Sequence, residues 1–169
     1  MTDNERAGDA GSGSQATPAI IVGIDGSESS VKALREGRRL ADALDVPLEA
    51  FAVWQRSHSM FDFYQYESGW TPEKDIEKLL EDTAQAAFGS DRPARFTLSY
   101  EQGIPTKALI RYSAGAEMLV LGSRGHGGFS GLLLGSVSSA CVAHATCPVL
   151  IVHNNDQVQL DAAKQAAGK

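Results

Sequence analysis

What this sequence has little of narrows its reading first. No apolar run approaches the ~20 residues that cross a bilayer. The longest, such as Ala19 to Ile24 and Met118 to Leu121, are of strand length, so no membrane partner is expected. Positive charge is not in excess: 15 Lys and Arg stand against 21 Asp and Glu, a formal net charge of -6. No general field draws such a chain to nucleic acid or to anionic lipid, and an anionic ligand has to be held locally. Cysteine is scarce. Cys141 and Cys147 are the two, in segments that read as a helix followed by a strand, which argues against a disulfide framework and for reduced, structural thiols. The first residues, MTDNERAGDAGSGSQATP, offer neither the cationic start nor the apolar stretch of a leader, so a cytoplasmic setting is expected.

With 169 residues, 43% of them hydrophobic, the chain has material for one domain with a real core. Residues 1–17 are rich in Gly, Ser, Asp and Ala without hydrophobic period. They cannot repay the entropy of ordering and are expected to be a disordered tail. The polar, alanine-rich residues 154–169 are expected to be a second tail, a frayed helix at most. That leaves 18–153 as the folded unit.

Within it, apolar runs of strand length alternate with segments of helical period, the pattern of an α/β fold with a parallel sheet covered on both faces. Ala19 to Ile24 and Met118 to Leu121 are nearly continuous apolar runs and read as doubly buried strands. Val149 to Val152, after Pro148, reads as the last strand. About Leu48 to Val53 and Arg95 to Tyr100 read as the second and third, the latter alternating enough to suit an exposed edge. The first helix begins near Ser27 or Ser29, with an apolar stripe through Val31, Leu34, Gly37, Ala41 and Leu44. The second opens at Thr71 and Pro72 and presents Ile76, Leu79, Leu80, Thr83, Ala84, Ala87 and Phe88 on one face. A third helix follows Pro105 and ends near Gly115, and a fourth carries Val137, Ala140, Cys141 and His144 at helical spacing.

The chemistry concentrates where the fourth strand runs into GSRGHGGFSGLLLGSVSSA. Gly122, Gly125, Gly127, Gly128, Gly131 and Gly135 fall within fourteen residues. Glycine permits positive φ and leaves no Cβ to block a ligand, so successive N–H groups can converge on an anion. Ser136, Val137 and Ser138 then start a helix whose free N–H groups and dipole favour a phosphate. The common phosphate motifs are absent: no lysine completes a GxxxxGK[ST] loop, Ser130 stands where GxGxxG needs its third glycine, and no GxSxG elbow occurs.

The spacing G-x2-G-x9-G-S is present, as Gly122, Gly125, Gly135 and Ser136. With IIVGIDGSESS at the first strand and CPVLIVH at the last, the chain resembles the universal stress protein family in its ATP-binding branch, over about 18–153. The resemblance implies a Rossmann-like open sheet of five parallel strands in the order 3-2-1-4-5, with a ligand crevice where the winding reverses between strands 1 and 4. It implies that Gly125, Gly135, Ser136 and Val137 contact phosphates, that Gly122 and Asp25 hold the ribose, and that the backbone of Val53 meets the adenine edge. It also implies ATP, with magnesium as its companion ion, as the ligand, with another adenine nucleotide such as cyclic AMP as the alternative. A homodimer through the last strand, Val149, Leu150, Ile151 and Val152, would cover an otherwise exposed edge.

Beside these, Arg124, His126 and Ser138 stand close enough in sequence to the cradle to meet phosphate charge. Asp25 also reads as a simple turn residue after the first strand. Cys141, His144 and Cys147 form C-x2-H-x2-C, but a structural zinc needs four ligands and no fourth is evident. Cys141 and His144 are therefore expected to pack in the core. The stretch Phe51 to Trp70 holds seven of the twelve aromatic residues and reads either as a lid or docking surface beside the ligand edge or as packing onto the domain's own core. Few groups near the cradle can serve phosphoryl transfer, so a nucleotide-dependent switch or partner-binding module is expected ahead of a slow ATP hydrolase or autophosphorylating enzyme.

Overall fold

The computed structural model describes residues 17–55, 71–125 and 134–154. In chain order these form β1 (Ile20–Ile24), α1 (Glu28–Leu44), β2 (Leu48–Trp54), α2 (Pro72–Phe88), β3 (Phe96–Gln102), α3 (Pro105–Tyr112), a 3-10 turn (Ser113–Gly115), β4 (Met118–Gly122), α4 (Ser136–His144) and β5 (Val149–Val152). The five strands make one parallel sheet in the order β3-β2-β1-β4-β5, as the resemblance implied. Most of the two tails, the aromatic residues Phe61, Phe63, Tyr64, Tyr66 and Trp70, and the loop positions His126, Gly127, Gly128 and Gly131 lie outside the described residues.

The pleat divides the apolar residues between two cores. Ile20, Val22 and Ile24 of β1 point to one face with Leu48, Ala50 and Ala52 of β2, and are covered by Ala33, Leu34 and Ala41 of α1 and Ile76, Leu80, Ala84 and Phe88 of α2. Ile21, Phe51, Leu119 and Leu121 point to the other face, under Ala108 and Leu109 of α3 and Cys141 of α4. Successive side chains alternate across a strand, so a strand buried on both faces has to be apolar throughout. Each buried Val, Leu, Ile or Phe side chain among them contributes about 1.5–3 kcal/mol by leaving water. β3, at the edge, has no buried residue. At the opposite edge all four residues of β5 are half-buried.

Local chemistry sets the element ends. Ser27 caps α1, its side chain accepting from the Ser30 N–H, and α2 and α3 each begin on a proline, at Pro72 and Pro105, where the missing N–H has no intrahelical partner to lose. Gly37 lets α1 lie close on the sheet: a methyl there would stand 2.6 Å from Val22 Cγ2.

Two expectations about helix faces are corrected. Leu44 is exposed and Val31 only half-buried, whereas Ser29, Ser30 and Ala33 are buried with Leu34, Gly37 and Ala41. The helix ends at Leu44 and is capped by Asp45 in the left-handed region with φ 54°, and Ala41 is its last buried residue. His144 is exposed rather than packed in the core. It is the last residue of a nine-residue helix whose buried positions are Ser138 and Cys141.

Candidate functional site

The sheet order puts β1 and β4 side by side, with β1 continuing into α1 on one face and β4 leading towards α4 on the other. The chain ends leaving both strands therefore diverge and open a crevice at their carboxyl ends. A cleft of about 320 Å³ occupies that position, within the size range of small-ligand pockets. Asp25, Val53, Gly122, Arg124, Gly125, Gly135, Ser136, Val137 and Ser138, the full set of expected contact residues, all line it.

Asp25 follows β1 directly. Its Oδ1 accepts from the Ser27 N–H at 3.0 Å and the Ser27 hydroxyl at 2.6 Å, while Gly26 between them takes φ 81°, which glycine adopts without strain. The turn role read for Asp25 is thus real, and it uses one carboxylate oxygen. The other, Oδ2, lies against Gly125, where a methyl group would collide with it. The two sequence motifs, an aspartate after the first strand and glycines after the fourth, meet at this contact.

Across the cleft, Gly135 caps α4 and brings no side chain to hydrogen-bond the first turn. The opening N–H groups of a helix have no intrahelical acceptor and carry the positive end of its dipole. Ser136, Val137 and Ser138 open the helix in this way, and all three line the cleft. The Ser138 hydroxyl donates to the Gly122 carbonyl at 2.8 Å, so this side chain ties the helix to the end of β4. Ser123 completes the frame: its N–H donates to the Val152 carbonyl at 2.8 Å and its carbonyl accepts from the Gly135 N–H at 2.7 Å.

The described glycines of the segment, Gly122, Gly125 and Gly135, serve a narrower purpose than composition suggested. Among the described residues, positive φ occurs at Asp45, Gly26 and Gly89, and at none of these three. At Gly122 a methyl would lie 2.5 Å from Ser29 Oγ and 3.0 Å from the Ser29 carbonyl carbon, so close approach of two backbones is the reason for glycine there. At Gly135 the nearest atoms would be 3.6–3.8 Å away. The protein itself leaves room for a side chain, and the space belongs to the cleft.

Apart from Phe51, which belongs to the aromatic stretch placed beside the ligand edge, the rest of the lining is not expected from the sequence. Phe51, Pro105, Leu109 and Leu121 give the cleft an apolar wall, and Ser29 and Ser30 join Asp25 on its polar side. Phe51 is 1% exposed and stacks on Tyr112 with ring centroids 3.9 Å apart. This aromatic, and Trp54 packed on the other core, serve the domain's own packing. Cys141 is buried beneath α4, and loss of water pushes its thiol up to about 11, with a smaller contribution from Cys147.

Comparison with known proteins agrees with the geometry. The family model described as "Universal stress protein family" matches residues 17–153. A universal stress protein of Mycobacterium tuberculosis is 32% identical over 144 residues, which is 82% of this chain and 49% of that protein. The chain spans about half the length of the curated relatives it matches. Among solved structures, a universal stress protein in complex with cAMP is similar with 26% identity and a TM-score of 0.60, over 82% of this chain and 98% of that one. The universal stress protein UspA from Lactobacillus plantarum has the same fold, with a TM-score of 0.60 and 20% identity over 80% of this chain and 97% of that one.

Proposed function

This chain belongs to the universal stress protein family, and from that premise we propose that its cleft binds an adenine nucleotide, ATP first, and that occupancy switches which partner the protein engages. The observation that carries the reading is the lining. An apolar wall for a base, a carboxylate for ribose hydroxyls and the N-terminus of α4 for phosphate all face one 320 Å³ space. In the proposed arrangement Val53 lies along the base, Asp25 and Gly122 hold the sugar, and Gly125, Gly135, Ser136 and Val137 bind phosphate oxygens. Arg124 and Ser138 flank them, Arg124 supplying charge. Magnesium, where ATP brings it, would neutralise the phosphates further.

A second reading keeps the site and changes the ligand to cyclic AMP, favoured by the solved relative that carries cAMP. Turnover of ATP is the less supported activity, since phosphoryl transfer asks for a positioned base, metal ligands and several cations, and Arg124 is the one cation lining the cleft among the described residues.

We further propose that 18–153 is the folding unit, that the protein works in the cytoplasm, and that two copies pair through β5. Denaturing the purified protein and identifying any released nucleotide by chromatography and mass, followed by titration with ATP, AMP and cyclic AMP, tests the reading. Absence of binding by all three at millimolar concentration overturns it.

A further inference from the structure

The first turn of α1 carries a hydroxyl that the nucleotide reading does not use. Ser29 is 5% exposed, and its Oγ donates to the backbone carbonyl of Arg124, ninety-five residues away in sequence. The same Oγ lies 2.9 Å from Ser27 Oγ, which in turn donates to Asp25. With one hydroxyl proton spent on Asp25 and the other on the Arg124 carbonyl, the two serines touch without a hydrogen bond between them, and Ser29 alone ties α1 to the start of the glycine segment. Space for the Ser29 side chain exists because residue 122 is glycine: a methyl there would occupy the position of the hydroxyl.

From this geometry we propose that Ser29 is a positioning residue of the cleft, which aims the Gly125 N–H at the phosphate of the bound nucleotide. The peptide unit between Arg124 and Gly125 is planar and trans, so its carbonyl and its N–H point in opposite directions. Holding the Arg124 carbonyl towards α1 turns the Gly125 N–H away from α1. The start of α4 is close to that nitrogen, which lies 3.8 Å from the point a Gly135 methyl would occupy. The Gly125 amide is thereby added to the donors of the helix N-terminus, and an anion there meets convergent N–H groups. Without the hydroxyl the peptide plane is free to rotate and that donor is lost, while the apolar wall that would hold the base is untouched.

The inference rests on the nucleotide reading, and the test separates the two. Adenosine, AMP and ATP are titrated into the wild-type protein and Ser29→Ala, and the Arg124 carbonyl carbon and Gly125 amide are followed by NMR in the ligand-free state. Loss of a hydrogen bond to a charged group predicts AMP and ATP affinity about tenfold weaker in the variant, with adenosine affinity unchanged and both NMR signals displaced. Equal weakening of adenosine and ATP would mean that Ser29 merely supports the fold, and unchanged ATP affinity would refute the positioning role. If the wild-type protein bound none of the three ligands, the nucleotide reading would fall. The latch would then stand or fall on the NMR signals alone, and an undisplaced Arg124 carbonyl would overturn it.

Discussion

Replacing Gly122 with alanine perturbs the fold and the site through a single contact. The new methyl would lie 2.5 Å from Ser29 Oγ, 2.8 Å from Ser29 Cβ and 3.0 Å from the Ser29 carbonyl carbon, against a relaxed separation of about 3.5–4.0 Å between carbons. The hydroxyl can rotate away but the backbone atom cannot, so the start of α1 must retreat from β4 by roughly 0.5–1 Å. Overpacking of this kind costs about 1–3 kcal/mol, which in a chain of this size lowers Tm by roughly 2–10 °C. Gly135→Ala is the matched control, since its methyl would have 3.6–3.8 Å clearances and should shift Tm by no more than about 4 °C, the effect of a poorer helix cap. Nucleotide affinity should fall in both variants, in the first through distortion and in the second because the methyl fills ligand space. Scanning calorimetry and isothermal titration read the two quantities separately. An unchanged Tm for Gly122→Ala, or a Gly135→Ala variant less stable than Gly122→Ala, would refute this account of the glycines. The double variant Gly122→Ala with Ser29→Gly should recover only part of the loss, because the 3.0 Å backbone contact remains.

Asp25→Ala should weaken ATP binding at least about tenfold, as expected for a lost charge-assisted contact, and robust Asp25-dependent release of phosphate by the wild-type protein would defeat the switch reading. Ser138→Ala removes the hydroxyl bond to the Gly122 carbonyl and should cost about 1 kcal/mol by urea unfolding, and a neutral result would show the tie to be dispensable. Cys141 is buried with its thiol raised to about 11, against about 8.5 in an unfolded chain. The folded state thus holds this proton more tightly, and its contribution is complete below about pH 8.5 and lost as pH rises towards 11. Stability of wild type and Cys141→Ala measured from pH 7 to 11 should therefore converge, while parallel curves would contradict the shift. The pairing of two copies through β5 predicts a dimeric mass by light scattering at micromolar concentration, reduced to a monomer by Ile151→Lys, and a monomeric wild type would refute it.

The fold was legible because a strand buried on both faces has nothing to alternate. Ile20 to Ile24 faces two cores and so reads as one apolar run, and β5 was bounded by Pro148 before it. The candidate site was legible from a glycine cluster at a strand end, although Gly122 itself answers to packing against Ser29. The site's apolar wall was legible only at Phe51, through the aromatic stretch it begins; Leu109 looks in sequence like any core residue, and both are core residues as well. Ser29 was read only as a helix cap because a serine in a first turn has an ordinary local use, and nothing in the sequence reports a partner at position 124. The Leu44 and His144 misassignments share a cause. Helical period continues past the point where the surface it packs on has ended.

Ser123, 4% exposed, hangs the edge strand and the helix cap from one peptide-length link, its N–H held by Val152 and its carbonyl by Gly135. Two bonds of 2.8 and 2.7 Å leave less than an ångström of slack before either ceases to be a hydrogen bond. The end of β5 cannot slide along β4 without drawing the start of α4 after it or breaking a buried bond. In mechanical terms the strand edge and the start of α4 are two arms of one lever, with Ser123 as its pivot.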